Sequence, residues 1–163
     1  MYEYLTDAVV LHREPKGAQD SRVSFFTKRF GKLTGKATSA RKITSKLSAH
    51  LEPGVVLKLR LVERHGLQIA DALKIRSANI PFLELERLHR LLGDGEPDSR
   101  LWTMLTDGEF TWGEALRVLG WDARYATCRE CGSAPEAFHP SSQDFFCGFC
   151  IDGFTRDEVL YIV

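Results

Sequence analysis

Four cysteines constrain the fold of this chain more than any other feature of its sequence. They form two Cys-x-x-Cys pairs, Cys128 with Cys131 and Cys147 with Cys150, and fifteen residues separate the two pairs. This spacing is typical of a tetrahedral zinc site, because each two-residue gap lets both sulfurs turn towards one ion. The sequence therefore predicts a structural Zn²⁺ ion held by these four cysteines, in a zinc finger over residues 127–151.

Two other interpretations of the cysteines remain open, namely two redox pairs or an empty site. The chain begins without the basic and then apolar pattern of a secretory signal, and no apolar run reaches about 18 residues. We therefore expect a cytoplasmic protein without a membrane span. In that compartment, cysteines are more often metal ligands than disulfides. His139 lies between the two pairs and is expected at the surface rather than among the ligands.

The motifs of catalytic sites are missing from the sequence. Four cysteine ligands leave zinc no open coordination position, which a catalytic zinc needs. No His-x-Glu precedes a cysteine pair, as zinc deaminases require, and no Gly-x-Ser-x-Gly, Walker or Rossmann loop occurs. We therefore expect that the chain is not an enzyme.

The net charge of zero conceals two halves of opposite charge. Residues 1–76 carry 15 Lys and Arg against 7 Asp and Glu, whereas residues 77–163 carry 7 against 15. Residues 21–51 hold eight of the basic residues and no acidic one. Clustered cations favour a polyanion such as nucleic acid. The shift in charge, with Pro81 close by, predicts a domain over residues 1–78 and another over residues 79–163.

Alternating apolar residues predict five strands in the first domain. They are expected at residues 8–11, 22–27, 33–37, 55–62 and 67–75, with a turn at Pro15 and a small helix, capped by Ser45, before the fourth strand. Asp71 interrupts the inward apolar row Leu67, Ile69, Leu73 and Ile75 of the fifth strand, so we expect either a bulge or a position at the barrel rim there. Five strands with a helix between the third and the fourth indicate an OB-fold β-barrel, a common carrier of single-stranded nucleic acid.

Helical periodicity replaces the alternation after residue 81. Three short helices are expected: one with Asn79 as its cap and Gly93 at its end, one over residues 99–105, and one from the capping box Thr111-x-x-Glu114 to the glycine at 120. The predicted fold class is α+β and multidomain: an N-terminal five-stranded OB-fold barrel, followed by a small helical domain that carries the four-cysteine zinc finger.

The candidate nucleic-acid contacts are basic residues of the predicted barrel. The segment 21–51 contributes Arg22, Lys28, Arg29, Lys32, Lys36, Arg41, Lys42 and Lys46, and the outward face of the fourth strand contributes Lys58 and Arg60 as second choices. Phe25 and Phe26 are consecutive and would point to opposite sides of a regular strand, so we expect one of them to be exposed.

Several segments, in order, resemble one bacterial protein family. Residues 8–13, 17–22, 26–32, 40–42 and 51–53 are similar to the N-terminal domain of the RecO recombination mediators, and residues 114–121, the first cysteine pair and residues 138–147 resemble the approach to that family's zinc finger. The family continues into further helices after the second pair, whereas thirteen residues follow Cys150 here. The resemblance is therefore to a short form.

The resemblance implies a protein of the RecFOR pathway of recombinational DNA repair, associated with the nucleoid. It implies binding of single- and double-stranded DNA and annealing of complementary strands. It also implies RecR as a partner, and contacts with the tail of single-strand-binding protein that lead to RecA loading. Two alternatives stay open on the residues alone, a zinc-ribbon protein–protein adaptor and an RNA-binding OB-fold protein.

Overall fold

A computed structural model describes residues 2–38 and 46–162 of the chain. The chain divides into two compact units, Met1–Gly108 and Glu109–Val163. The first unit is built on five strands: β1 Tyr2–Lys16, β2 Asp20–Thr27, β3 Gly31–Ala37, β4 Val55–Glu63 and β5 Leu67–Ser77. The helices α1 Phe82–Leu91 and α2 Ser99–Thr106 also lie within this unit.

The five strands form a closed barrel in the order β1-β2-β3-β5-β4. The long strand β1 pairs with β4 through its first half and with β2 through its second half, and a bulge lies where the two pairings meet. A parallel contact between Lys36 of β3 and Gln68 of β5 completes the ring. This closed five-stranded arrangement is the OB-fold barrel expected from the sequence.

Strand β4 follows its alternating sequence most closely. Val55, Leu57, Leu59 and Leu61 are buried in the barrel interior, whereas Lys58 and Arg60 are exposed. The predicted inward and outward faces of this strand are therefore confirmed, because strand side chains point alternately to opposite sides of a sheet.

The apolar row predicted for β5 is only partly correct. The expected bulge exists, since the register with β4 shifts between the pair Arg60–Asp71 and the pair Leu61–Ile69. A second shift follows near the end of the strand. Ile69 is buried, but Leu73 and Ile75 are 60% and 49% exposed. The bulges change which residues face inward, so that Ala72 is buried instead.

Phe25 and Phe26 are both buried, which makes the expectation that one is exposed wrong. Phe25 belongs to the barrel core. Phe26 points outward beside its register partners Val9 and Lys32, and helix α1 packs against β1 on this side. The barrel therefore has a second apolar layer outside it, which a single strand pattern does not reveal.

Lys32 and a histidine pair join α1 to the barrel. The Lys32 ammonium donates to the carbonyl oxygens of His89 and Leu92, at 2.7 and 2.8 Å, and so satisfies the C-terminal end of α1. The His12 ring stacks on the His89 ring with centroids 4.6 Å apart, and His12 Nδ1 hydrogen-bonds Glu86 of the same helix. These polar contacts fix α1 over β1 and the start of β3.

The loop after α1 also pairs with β3. The backbones of Lys32 and Gly95 exchange two hydrogen bonds, each 2.9 Å long. Gly31 precedes this bridge with a φ of 70°, and a Cβ atom there would overlap the Gly95 carbonyl. Glycine is therefore required at residue 31 both for its backbone conformation and for the close approach of the loop.

Several boundaries differ from the sequence prediction. Strand β1 runs through Pro15 instead of ending before it, because the last residues of the strand pair with the start of β2. A single 3-10 turn, Ser48–His50, is described before β4, and the predicted cap Ser45 lies outside the described residues. Helix α1 begins after Pro81 without a side-chain cap, so Asn79 does not cap it.

Helix α2 begins at an Asp98 side chain that accepts two backbone N–H groups, and its predicted bounds are confirmed within one residue. In the second unit, helix α3 Trp112–Val118 begins at Thr111, whose hydroxyl accepts from Glu114 N, which is one of the two hydrogen bonds of the predicted capping box. A small antiparallel sheet follows, in the order β7-β6-β8, with β6 Ala137–His139, β7 Asp144–Phe146 and β8 Leu160–Tyr161.

Among the described residues, no helix has the length and apolar character needed to span a bilayer.

Candidate nucleic-acid interface and metal centre

A continuous row of outward-facing residues runs around the barrel. Each member is the register partner of the next, across β1, β2, β3, β5, β4 and back to β1: Glu14, Arg22, Lys36, Gln68, Val62 and Glu3. The row places Arg22 directly opposite Lys36. Like charges in this position repel each other, so the pair favours an anion between or above them.

Arg22 and Lys36 line a groove of about 230 Å³ at one end of the barrel. Carboxylates partly neutralise both residues. Glu14 lies 3.9 Å from Arg22, and Asp20 lies 2.8 Å from Lys36. Exposed ion pairs of this kind contribute at most about 1 kcal/mol, so a phosphate can compete for either cation.

The groove also contains residues that the sequence did not single out. Lys16 stands at the end of β1, and His65 and Gln68 come from the β4–β5 turn and the start of β5. Among the described residues, Lys16 takes part in no ion pair. The sequence marked Lys16 and His65 only as parts of turns, and Gln68 only as part of the fifth strand. An OB-fold, however, brings its β1–β2 and β4–β5 loops to one binding cleft, and that rule would have identified them.

A second hollow, of about 250 Å³, collects three further predicted contacts: Lys28 and Arg29 of the β2–β3 turn, and Lys58 of β4. Lys58 pairs with Asp7 at 3.2 Å, while Arg29 donates to the Leu5 carbonyl and lies over the Phe30 ring. The structure thus places these three residues apart from Arg22 and Lys36, on the same barrel.

Arg60 lies in a third hollow, beside Arg64 and Gln68. Its guanidinium pairs with Glu3 at 3.1 Å. Because Gln68 also lines the groove of Arg22 and Lys36, the two hollows adjoin each other.

The remaining predicted contacts differ in their surroundings. The Lys32 ammonium is half-buried and bound to α1, and burial lowers its pKa, so this group serves the fold and is not presented to solvent. Lys46 is exposed just before the 3-10 turn. Arg41 and Lys42 lie outside the described residues. Of the ten predicted contacts, two share the groove and three share the second hollow.

The four cysteines of the second unit come together as predicted. The sulfur atoms of Cys128, Cys131, Cys147 and Cys150 all lie within 4.8 Å of one another. Two local turns present them. In the first, Gly132 N donates to the Cys128 carbonyl; in the second, Cys150 N approaches the Cys147 sulfur at 3.5 Å.

The two glycines beside the cysteines differ in their surroundings. Gly132 has a φ of 74°, as a tight turn requires. At Gly148, a Cβ atom would lie 2.7 Å from the carboxylate of Glu136, an exposed and flexible side chain that can move aside.

The geometry of the cysteines fits zinc. A tetrahedral ion with Zn–S bonds of about 2.3 Å separates its sulfurs by about 3.8 Å. The sulfurs of Cys131 and Cys147 are 3.6 Å apart, close to that value. The set of four cysteines would hold Zn²⁺ with no open coordination position, which suits a structural site. His139 is not in the cluster; its ring accepts a hydrogen bond from Ser142 N and packs on Phe154.

The protonation of the cluster also favours a cation. Burial acts to raise the pKa of Cys128, but hydrogen bonds from the backbone at Cys131, Cys147 and Glu130 outweigh it, and the pKa falls to about 6. The pKa of Cys150 is raised, first by its contact with Cys131 and then by burial. Adjacent thiolates repel one another, and a divalent ion removes that repulsion.

Comparison with known proteins agrees with the fold of the barrel. Residues 1–78 match the family model described as "Recombination protein O N terminal". This range ends one residue after β5, so it contains the whole barrel. Residues 1–78 are therefore similar to the N-terminal domain of that family.

Two curated relatives are both named DNA repair protein RecO. The protein from Geobacter metallireducens is 27% identical, in an alignment that covers 78% of this chain and 62% of the relative. The protein from Myxococcus xanthus is 38% identical over 66 residues, or 40% of this chain and 27% of the relative. The chain therefore spans less than two thirds of each relative.

Proposed function

We propose that this chain is a non-catalytic recombination mediator that binds DNA through its OB-fold barrel. The observation that carries the proposal is the Arg22–Lys36 pair, two cations held side by side in a groove between the loops that OB-folds use for oligonucleotides. The row contains no aromatic base reader, so binding is expected to depend on phosphates and to be independent of base sequence.

Annealing and partner binding extend the proposal. Two cationic hollows on one barrel would lower the repulsion between complementary strands, so that base pairing proceeds without any bond chemistry. In this role the protein binds single- and double-stranded DNA and acts with RecR to load RecA on strands covered by single-strand-binding protein. Arg41, Lys42 and Lys46 remain proposed phosphate contacts, and the site of action is the cytoplasmic nucleoid.

The first test measures how strongly nucleic acid binds at the groove. Fluorescence anisotropy would measure affinity for single-stranded DNA, duplex DNA and RNA of equal length, each over a series of salt concentrations. In the double variant Arg22→Gln/Lys36→Gln, two phosphate contacts are lost, so the slope of log affinity against log salt should fall by roughly 1.4 for single strands. The loss should be equal on every base sequence.

A matched control is Lys74→Gln, an exposed lysine of β5 that lines none of the three hollows among the described residues. It should leave affinity and slope unchanged. Unchanged DNA affinity in the groove variant would overturn the assignment of the groove, and a clear preference for RNA would favour the RNA-binding alternative.

A second candidate function, that of a protein–protein adaptor, applies to residues 109–163. They hold nine acidic and four basic residues, and Phe149, between the glycine and cysteine of the second turn, is 86% exposed. A net negative surface repels phosphates and suits a basic protein partner. If the intact chain binds no nucleic acid at low salt, the adaptor function is favoured over the mediator function.

A further inference from the structure

The outward face of β2 and β3, which OB-folds commonly use for oligonucleotides, is only partly open here. Its register pairs run from Arg22–Lys36, through Ser24–Thr34, to Phe26–Lys32. The last pair is covered, because Phe26 is 1% exposed and the Lys32 ammonium is bound to the end of α1. A strand of nucleic acid that lies in the groove therefore cannot continue along β2 and β3.

An open route leads from the groove in another direction, across the strands. Gln68 is the register partner of Lys36 on one side and of Val62 on the other. Neighbouring strands lie about 4.8 Å apart, so Val62 is about 10 Å from Lys36. Arg60 stands two residues before Val62 on the same face of β4, and Arg64 follows the end of that strand.

The same face of β4 continues from Arg60 to Lys58 and on to the second hollow. Lys58 lines that hollow together with Lys28 and Arg29. Exposed leucines lie beside these cations: Leu5, 63% exposed, is opposite Arg60, and Leu73, 60% exposed, is opposite Lys58. Alternating cations and apolar side chains suit a strand whose bases are unpaired, because the bases cover apolar surface while the phosphates meet the cations.

Resting on the proposed function, we infer that a single strand of nucleic acid crosses the barrel from the Arg22–Lys36 groove, over Gln68, onto the outer face of β4 and towards the Lys28–Arg29 turn. The nucleic acid thus runs across the β-strands of the barrel and not along the face of β2 and β3. Long oligonucleotides therefore gain contacts with Arg60 and Lys58 that short ones do not reach.

The carboxylates on this face tune its affinity. Glu3 pairs with Arg60, and Asp7 pairs with Lys58, at 3.1 and 3.2 Å, while Asp71 is the register partner of Arg60 on β5. A phosphate must displace Glu3 or Asp7 to reach its cation. A phosphate can replace the carboxylate of an exposed ion pair at little cost in free energy, but the gain is also small. The outer face of β4 therefore binds nucleic acid weakly by itself and acts as an extension of the groove.

The test compares the affinities of dT4 and dT16, lengths that bracket the site sizes of about 4–16 nucleotides found for OB-folds. The variant Lys58→Gln/Arg60→Gln should bind dT4 with the affinity of the wild type. Its affinity for dT16 at low salt should be lower by at least about fivefold. Glu3→Gln should strengthen dT16 binding and leave dT4 binding unchanged. Lys74→Gln is the control and should alter neither affinity.

Each contrary outcome has a distinct meaning. If the wild type binds neither oligonucleotide, the proposed function fails. If it binds dT16 better than dT4 but Lys58→Gln/Arg60→Gln does not weaken dT16, the crossing path is wrong while the groove stands. If Lys32→Met, shown to be folded by circular dichroism, weakens dT16 selectively, the strand runs along β2 and β3 and the inference is overturned.

Discussion

Replacing Lys32 by methionine tests whether this basic residue of the barrel stabilises the fold or contacts a ligand. Methionine keeps an unbranched apolar chain but removes the ammonium that donates to the His89 and Leu92 carbonyls at 2.7 and 2.8 Å. Both carbonyls belong to the end of α1, where no backbone N–H group follows to satisfy them. The variant should therefore lose stability without losing a phosphate contact.

The size of the loss follows from these contacts. A hydrogen bond from a charged donor contributes about 1.5–3 kcal/mol, and a cation at a helix C-terminus adds about 0.3–1 kcal/mol. Burial of the ammonium opposes these gains, as the lowered pKa of Lys32 shows. We therefore expect a loss of about 2–3 kcal/mol in the free energy of unfolding, near the value of one good charged hydrogen bond.

The assay is urea denaturation followed by circular dichroism, together with dT16 anisotropy on the same samples. Lys28→Met is the matched control, because Lys28 is exposed and takes part in no ion pair among the described residues. It should change stability by less than about 0.5 kcal/mol and should weaken dT16 binding. A Lys32→Met variant that unfolds like the wild type, or that binds DNA with a reduced salt slope, would refute the structural role of Lys32.

Three further predictions concern the core, the metal and the histidine pair. Phe26→Ala should lower the free energy of unfolding by about 3–5 kcal/mol in urea denaturation, because a buried aromatic leaves a cavity, and a loss below about 1 kcal/mol would place Phe26 at the surface. One zinc per chain is expected by metal analysis, and chelation or Cys147→Ser should unfold residues 109–163, seen as a red shift in tryptophan emission; an unchanged spectrum would contradict a structural ion. Burial, then Lys32 and His12, lower the pKa of His89, so the unfolded chain binds more protons below about pH 6.5 and stability should fall from pH 7 to pH 5. His89→Leu should reduce that fall, as measured by urea midpoints at both pH values, and an equal fall in the variant would exclude His89 as a cause.

Local patterns in the sequence were sufficient for the number and order of the barrel strands, though not for all their bounds, and for the cysteine cluster. The alternation of β4 predicted its buried and exposed faces correctly, because the side-chain period of a strand is set by the backbone alone. The spacing of Cys128 and Cys131 likewise implied a shared ligand set, since two intervening residues form one tight turn. Both features depend only on residues that are close together in the sequence, so a single sequence is enough to predict them.

Other features depended on contacts between distant segments. Phe26 is buried because α1, more than fifty residues later in the chain, packs on the barrel, and the same packing binds the ammonium of Lys32. The bulges of β5 exposed Leu73 although its sequence pattern predicts an inward position. The charge of the basic side chains could not by itself show which of them stabilise the fold and which are exposed to a ligand.

The sequence by itself thus determined the strand periodicity, the grouping of the four cysteines and the concentration of positive charge in the first half of the chain. Tertiary structure alone decided how that charge is distributed, with Arg22 beside Lys36 in one groove, Lys28 beside Lys58 in another hollow, and Lys32 bound to a helix. The physical reason is that periodicity arises from backbone geometry along the chain, whereas the neighbours of a side chain across strands and helices are set by barrel closure and by packing.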